Sequence, residues 1–151
     1  MKNDVIDVSA SVSLSIDREG RWYYDGQEII HPRVLETFRQ GLRCDSDGRH
    51  FIEIGGEICS VAVADAPFVV TTLRGDCQQG LRLVLNSGET VRLDPSRLRL
   101  GAGGAFYTEI RDGLQARFTR AAHALLAQEV FELEDGYALE IEGRIYRLAA
   151  G

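Results

Sequence analysis

Apolar residues recur along this chain at two spacings, and the longest apolar stretch sits near its middle. Residues 57–73 read EICSVAVADAPFVVTTL. Val61, Ala62, Val63 and Ala64 are apolar at successive positions, which predicts a strand buried on both faces. Phe68, Val69 and Val70 repeat the pattern. Pro67 cannot donate a ladder hydrogen bond and biases Ala66 toward an extended backbone, so Asp65-Ala66-Pro67 reads as a break between two strands. Asp65 is the charged residue in that break. It either bonds nearby backbone N–H groups as a turn-former, the commoner role, or serves a ligand.

Period two dominates elsewhere. Val12, Leu14 and Ile16 alternate with serines, as in a strand with one buried face. The run GRWYYDGQEII places two β-prone segments around Asp25-Gly26, a hairpin signal, with Trp22 and Tyr24 on one face and Tyr23 on the other. Asp45-Ser46-Asp47-Gly48 turns the chain into a second hairpin with its bend at Gly55-Gly56. Phe51 and Glu53 share one face there, Ile52 and Ile54 the other. Leu81, Leu83 and Leu85 alternate with Arg82 and Val84, then Asn86-Ser87-Gly88 turns toward Val91 and Leu93. Residues 96–100 alternate again, 101–104 read as a flexible glycine-rich loop, 106–110 as a short strand, and the tail as a final hairpin around Glu142-Gly143.

Helical spacing appears twice. Pro32 suits a first helical position, and Val34, Leu35, Phe38 and Leu42 form a stripe that predicts a helix ending near Arg43, with Arg33, Glu36 and Arg39 facing water. Leu114, Phe118, Ala121, Ala122 and Leu125 predict a second helix over about 112–130. Residues 52–58 also echo residues 139–145, as two related helix-plus-hairpin lobes would. The expected fold is α+β: two small lobes, each of antiparallel hairpins packed with one main helix, with a structural repeat as a candidate feature. Residues 1–10 form a frayed tail, 11–65 the N-terminal lobe and 66–151 the C-terminal lobe.

Composition narrows the partners. With 151 residues, 44% hydrophobic and 26% charged, the chain suits one compact domain or two lobes sharing a core. A net charge of -6 and a pI near 5.1 argue against nucleic acid held by its phosphates. Residues 1–10 lack the apolar run of a signal peptide, and the mid-chain window is too short and too interrupted to span a membrane. Cys44, Cys59 and Cys77 are far apart with no C-x-x-C pair, and Cys59 reads as a small buried hydrophobe. A reduced cytoplasmic setting follows.

No motif carries chemistry by itself. Arg49 and His50 stand where a calcium loop after Asp45 needs an acid or amide and a glycine. The 101–104 loop lacks the Lys-Ser/Thr of a phosphate loop, and His31, His50 and His123 have no ligand spacing. No serine sits in a nucleophile elbow. No catalytic residue, metal or cofactor is therefore expected. The arginines offer more. Arg117 and Arg120 are three apart on the expected second helix, Arg111 lies near its start and Tyr107 just upstream. Such a set suits a carboxylate or phosphate, or else pairs with the chain's own acids.

These residues resemble a bacterial family known as domain of unknown function 1285. The likeness rests on Gly20-Arg21-Trp22-Tyr23-Tyr24-Asp25-Gly26 with Ile29 and Ile30, on Asp47-Gly48, and on Val63-Ala64-Asp65-Ala66-Pro67-Phe68. It continues through Tyr107, Ile110-Arg111, Gly113-Leu114, Ala116-Arg117 and Arg120. The chain departs from the family pattern at His31, at 54–57 and at Phe106. The resemblance implies two α+β lobes built from repeated motifs, no established activity, and a suspected part in ligand binding or signalling.

Three functions are carried forward. The first is a non-catalytic binding or regulatory module holding an anionic small molecule or an acidic protein segment at Asp65, Tyr107, Arg111, Arg117 and Arg120. The second is an interaction protein that docks partners or forms a homodimer through a sheet edge or helix face. The third is an enzyme using Asp65 or a histidine.

Overall fold

The structure is a computed structural model and describes residues 13–150. The expected tail 1–10, and Val12 of the first expected strand, lie outside the described residues. Contacts divide the chain into two units. One runs to Pro67 and includes Asp112–Leu114; the other comprises Phe68–Arg111 and the chain from Gln115 onward.

The first unit holds β1 (Leu14–Ile16), β2 (Trp22–Tyr24), β3 (Gln27–Glu28), α1 (Pro32–Gly41), β4 (Leu42–Cys44), β5 (His50–Ile54) and β6 (Glu57–Val63). They form one sheet in the order β3-β2-β1-β6-β5-β4. β1 pairs parallel with β6, with Leu14 opposite Val61 and Ile16 opposite Val63, and the other neighbours are antiparallel. Asp25 and Gly26 turn at φ 50° and 85°, the left-handed pair whose twist suits a two-residue hairpin. Leu14, Ile16, Trp22, Leu42, Ile52 and Val61 form the core, and the Phe38 ring of α1 lies 5.6 Å from Trp22.

α1 begins where expected: His31 Nδ1 accepts the Arg33 N–H at 3.2 Å, and Pro32 follows it. It ends at Gly41, short of Arg43, because Leu42 turns extended and opens β4. Its stripe is shallower than the spacing implies. Val34 is exposed, whereas Arg39, expected in water, is half-buried, and that burial lowers its guanidinium below the ordinary arginine pKa.

β6 corrects a second expectation. Val61 is buried, but Ala62 and Ala64 are exposed and Val63 is half-buried, so one face of this strand meets water. Two of the four apolar residues are alanines, whose small side chains cost little to expose. β7, by contrast, buries Phe68, Val69 and Val70 together.

The second unit contains β7 (Phe68–Asp76), β8 (Gly80–Leu85), β9 (Thr90–Arg92), a 3-10 turn (Pro95–Arg97), β10 (Leu98–Leu100), β11 (Phe106–Arg111) and, but for its first residue, β12 (Leu114–Phe118). α2 (Arg120–Ala127), β13 (Val130–Leu133), β14 (Gly136–Ile141), β15 (Arg144–Arg147) and β16 (Ala149–Ala150) complete it. The larger sheet is ordered β16-β10-β11-β12-β7-β8-β9, and β13-β14-β15 form a small antiparallel sheet. β7 pairs parallel with β12, with Phe68 opposite Ala116 and Val70 opposite Phe118. Apart from β16, this is the strand order of the first sheet. The sequence echo of 52–58 in 139–145 therefore joins unlike places: β5-β6 of a six-stranded core and β14-β15 of the small sheet.

The largest correction is the second helix. Asp112 and Gly113 turn at φ 47° and 82°, and Leu114, Ala116 and Phe118 are buried at period two in a strand. The helix starts only after Thr119, whose hydroxyl accepts the Ala122 N–H at 3.2 Å, and it is eight residues long. Ala122 and Leu126 are its buried residues; Leu125, assigned to the stripe, is 41% exposed.

Gly41 tests the packing of α1. A Cβ there stands 2.8 Å from the Glu53 carbonyl oxygen and 3.1 Å from Ile54 Cγ1. Alanine favours a helix by about 1 kcal/mol, but forcing the backbone of β5 aside costs roughly 1–3 kcal/mol. Gly41→Ala is expected to lower the urea midpoint; an unchanged or raised midpoint would show that α1 is not seated against β5.

Candidate functional site

In the second unit, β10 and β11 are joined by residues 101–105, expected as a flexible loop. They form a closed turn instead: the Gly101 N–H bonds the Ala105 carbonyl at 2.8 Å, and the Gly104 N–H bonds the Gly101 carbonyl at 2.9 Å. Gly104 sits at φ 84°, in the left-handed region that favours glycine. Leu100 and Phe106 flank this turn and face each other in register.

His123 and Ala127 are four residues apart on α2, hence on one side of it. The His123 ring stacks on Phe106 with centroids 4.5 Å apart and planes 26° apart. Across from them, Val130 and Glu132 alternate along β13 onto one face, and Glu132 is the register partner of Tyr137 on β14. Leu100, Gly104, Phe106, His123, Ala127, Val130, Glu132 and Tyr137 together line a cavity of about 550 Å³. Its walls are mainly apolar and aromatic. Its polar side-chain groups are the imidazole, the carboxylate and the phenol.

Of these residues only His123 stood among the sequence-derived candidates, as one of the three histidines of the enzyme alternative. The usable signals were Thr119 as an N-cap three residues before Ala122, which sets the phase of the helix, and the lone Tyr137 opening the last hairpin. His123 is part of the aromatic wall.

The expected site residues are dispersed over separate partners. Asp65 belongs to the first unit and lies 3.8 Å from an Arg18 guanidinium nitrogen. The others belong to the second. Tyr107, on the side of β11 opposite Phe106, carries the Arg99 guanidinium 4.7 Å above its ring. A Cβ on Gly101 would stand 2.5 Å from that ring, so the tyrosine packs directly against a glycine. Arg111 bonds Glu89 at 2.7 Å and lies 5.4 Å above the Phe68 ring. Arg117 is opposite Val69 on β12 and donates to the Phe118 carbonyl at 3.3 Å. Arg120 is exposed at the first position of α2. With Arg117 in a strand, the shared helix flank assumed for Arg117 and Arg120 does not exist.

Among the described residues, no group of three or more His, Cys, Asp or Glu side chains is arranged to hold a metal ion. Nor, among the described residues, is any helix long and apolar enough to cross a membrane. The three cysteines are free, and Cys59 is half-buried, less covered than its apolar setting implies. Asp45 behaves as a turn-former, accepting the Asp47 and Arg49 N–H groups at 2.9 Å each.

Cys77 donates to Glu129 Oε1 at 3.3 Å. Burial, this hydrogen bond and the neighbouring carboxylates push its thiol up to about 11. At pH 8 its thiolate population is then about 100-fold below that of an ordinary thiol, and iodoacetamide should modify it correspondingly slowly. Glu129→Gln is expected to speed the reaction, as peptide mass spectrometry can follow. Alkylation of Cys77 at the rate of a free thiol would contradict this placement.

No protein-family model matches the sequence, and no curated protein matches it. Solved structures do. A DUF1285 family protein from Silicibacter pomeroyi DSS-3 shares 26% identity and a TM-score of 0.76, over 91% of this chain and 80% of its own. A DUF1285 family protein from Shewanella baltica OS155 shares the fold with a TM-score of 0.68 at 24% identity, over 82% of this chain and 96% of its own. The resemblance read from the sequence is thus matched by the fold.

Proposed function

Proceeding from a chain that is DUF1285-like in sequence pattern and fold, we propose that it is a non-catalytic small-molecule-binding module whose site is the cavity beside α2. The cavity itself carries the proposal. Its volume of about 550 Å³ falls within the ~300–1,000 Å³ usual for small-molecule sites. A few convergent polar groups on aromatic walls are what orient a ligand in such a site. A regulatory or signalling-accessory role is the biological form this function takes: ligand occupancy fixes α2 against β13 and β14.

The arginine-centred alternative has less support. Arg111 is neutralised by Glu89, and Arg99 is engaged with Tyr107. An anionic ligand there competes with bonds the chain already makes to itself. The common order of the two six-stranded cores supports an internal structural repeat, with the cavity lying where elements added after the second copy, α2, β13 and β14, meet its β10–β11 hairpin.

A fragment screen followed by backbone amide NMR tests the site. Hits are expected to shift the amides of Ala127, Val130 and Tyr137, and Ala127→Phe, which fills the space, should abolish those shifts. Hits confined to Arg111, Arg117 and Arg120, or a screen leaving the cavity amides unmoved, would overturn the assignment.

A further inference from the structure

Resting on the cavity as the binding site, we infer that its preferred ligand is a planar organic cation. Three features of the lining converge on this class. The first is shape. Phe106 and His123 present a stacked pair of flat rings, 26° from parallel, and a flat molecule extends that stack with the least empty space. Ala127, one turn along α2 from His123, leaves room beside it.

The second is charge. Glu132 supplies the one formally charged group among arginine, lysine, aspartate and glutamate side chains in the lining. A carboxylate at the edge of a mainly apolar cavity attracts a cation and repels an anion. No arginine or lysine is among the lining residues; Arg147 bonds Asp135 at 2.6 Å, Arg92 pairs with Glu142, and Arg120 opens α2 one turn before His123. The wider chain, at -6, adds to the attraction.

The third is the pairing of Glu132 with Tyr137. Opposite residues on one face of an antiparallel pair hold their Cβ atoms about 4.5–5.5 Å apart, so carboxylate and phenol ring address the same volume. A cation there lies over an electron-rich ring face while meeting a carboxylate from the side. Tyr137 is 47% exposed, so its ring is accessible from the cavity mouth. The aromatic wall then holds the flat body of the ligand, and Glu132 with Tyr137 hold its charge.

The test uses the full chain and three probes of matched shape: 1-methylquinolinium, neutral quinoline and 2-naphthoate. Amide shifts at Ala127, Val130 and Tyr137 give each dissociation constant at pH 7.5. The expected result is that 1-methylquinolinium binds about tenfold or more tighter than quinoline and that naphthoate is weakest. Glu132→Gln, which keeps the size of an exposed side chain, should erase most of that preference. Tyr137→Phe should preserve it and Tyr137→Leu reduce it. Equal binding of all three probes, or a preference that survives Glu132→Gln, would overturn the cation inference and leave the binding site standing. Absence of shifts at the cavity amides with every probe would overturn both.

Discussion

In each unit the last core strand comes back to pair parallel with the first, β6 beside β1 and β12 beside β7, and everything else is placed by that return. A parallel neighbour cannot be reached by a tight turn, so the chain between must travel out and back. Here it does so as two hairpin-like excursions that build the rest of the sheet on either side. The joint is closed the same way in both units: Ala64 donates to the Ile16 carbonyl at 2.9 Å, and Thr119 to the Val70 carbonyl at 3.0 Å. In the second unit this fixes where α2 can begin. Thr119 ends the parallel ladder and caps the helix at once, so His123 falls over Phe106 and Ala127 beside it. The cavity wall is thus a consequence of strand pairing several residues upstream.

Charge is distributed to match. Several arginines of the larger sheet and the turn leading into it are engaged internally: Arg97 by Glu109, Arg111 by Glu89 and Arg99 by the Tyr107 ring. Exposed pairs of this kind contribute little stability individually, about 0–1 kcal/mol. Their consequence is electrostatic: with these arginines engaged, Glu132 of the small sheet is the charged residue among arginine, lysine, aspartate and glutamate that lines the cavity.

Much of the strand pattern was legible in the sequence because glycine turns and period-two alternation are local signals. Asp25-Gly26, Gly55-Gly56 and Glu142-Gly143 all close hairpins as read. The second helix was misread because Leu114, Phe118 and Leu125 satisfy a helical spacing by accident, while Ala116 was too small to register as the buried partner of Phe68. Asp112-Gly113 carried the same hairpin signal as Asp25-Gly26 and should have outweighed it. β6 was overread for the complementary reason, since exposed alanines look apolar. The candidate site was least legible. Its residues come from five elements and a turn spread between positions 100 and 137, brought together by the β10–β11 hairpin, the parallel return of β12 and the fold-back of β14 on β13. The arginines, by contrast, were conspicuous because they cluster in sequence.

The parallel return of β12 is tested most directly by proton–proton NOEs across residues 112–118. The account predicts interstrand contacts from the Arg117 backbone to that of Val69 and no sequence of i to i+3 contacts before Thr119. Helical i to i+3 contacts running from Gly113 through Phe118, with no cross-peaks to β7, would contradict it and remove the wall on which the cavity depends.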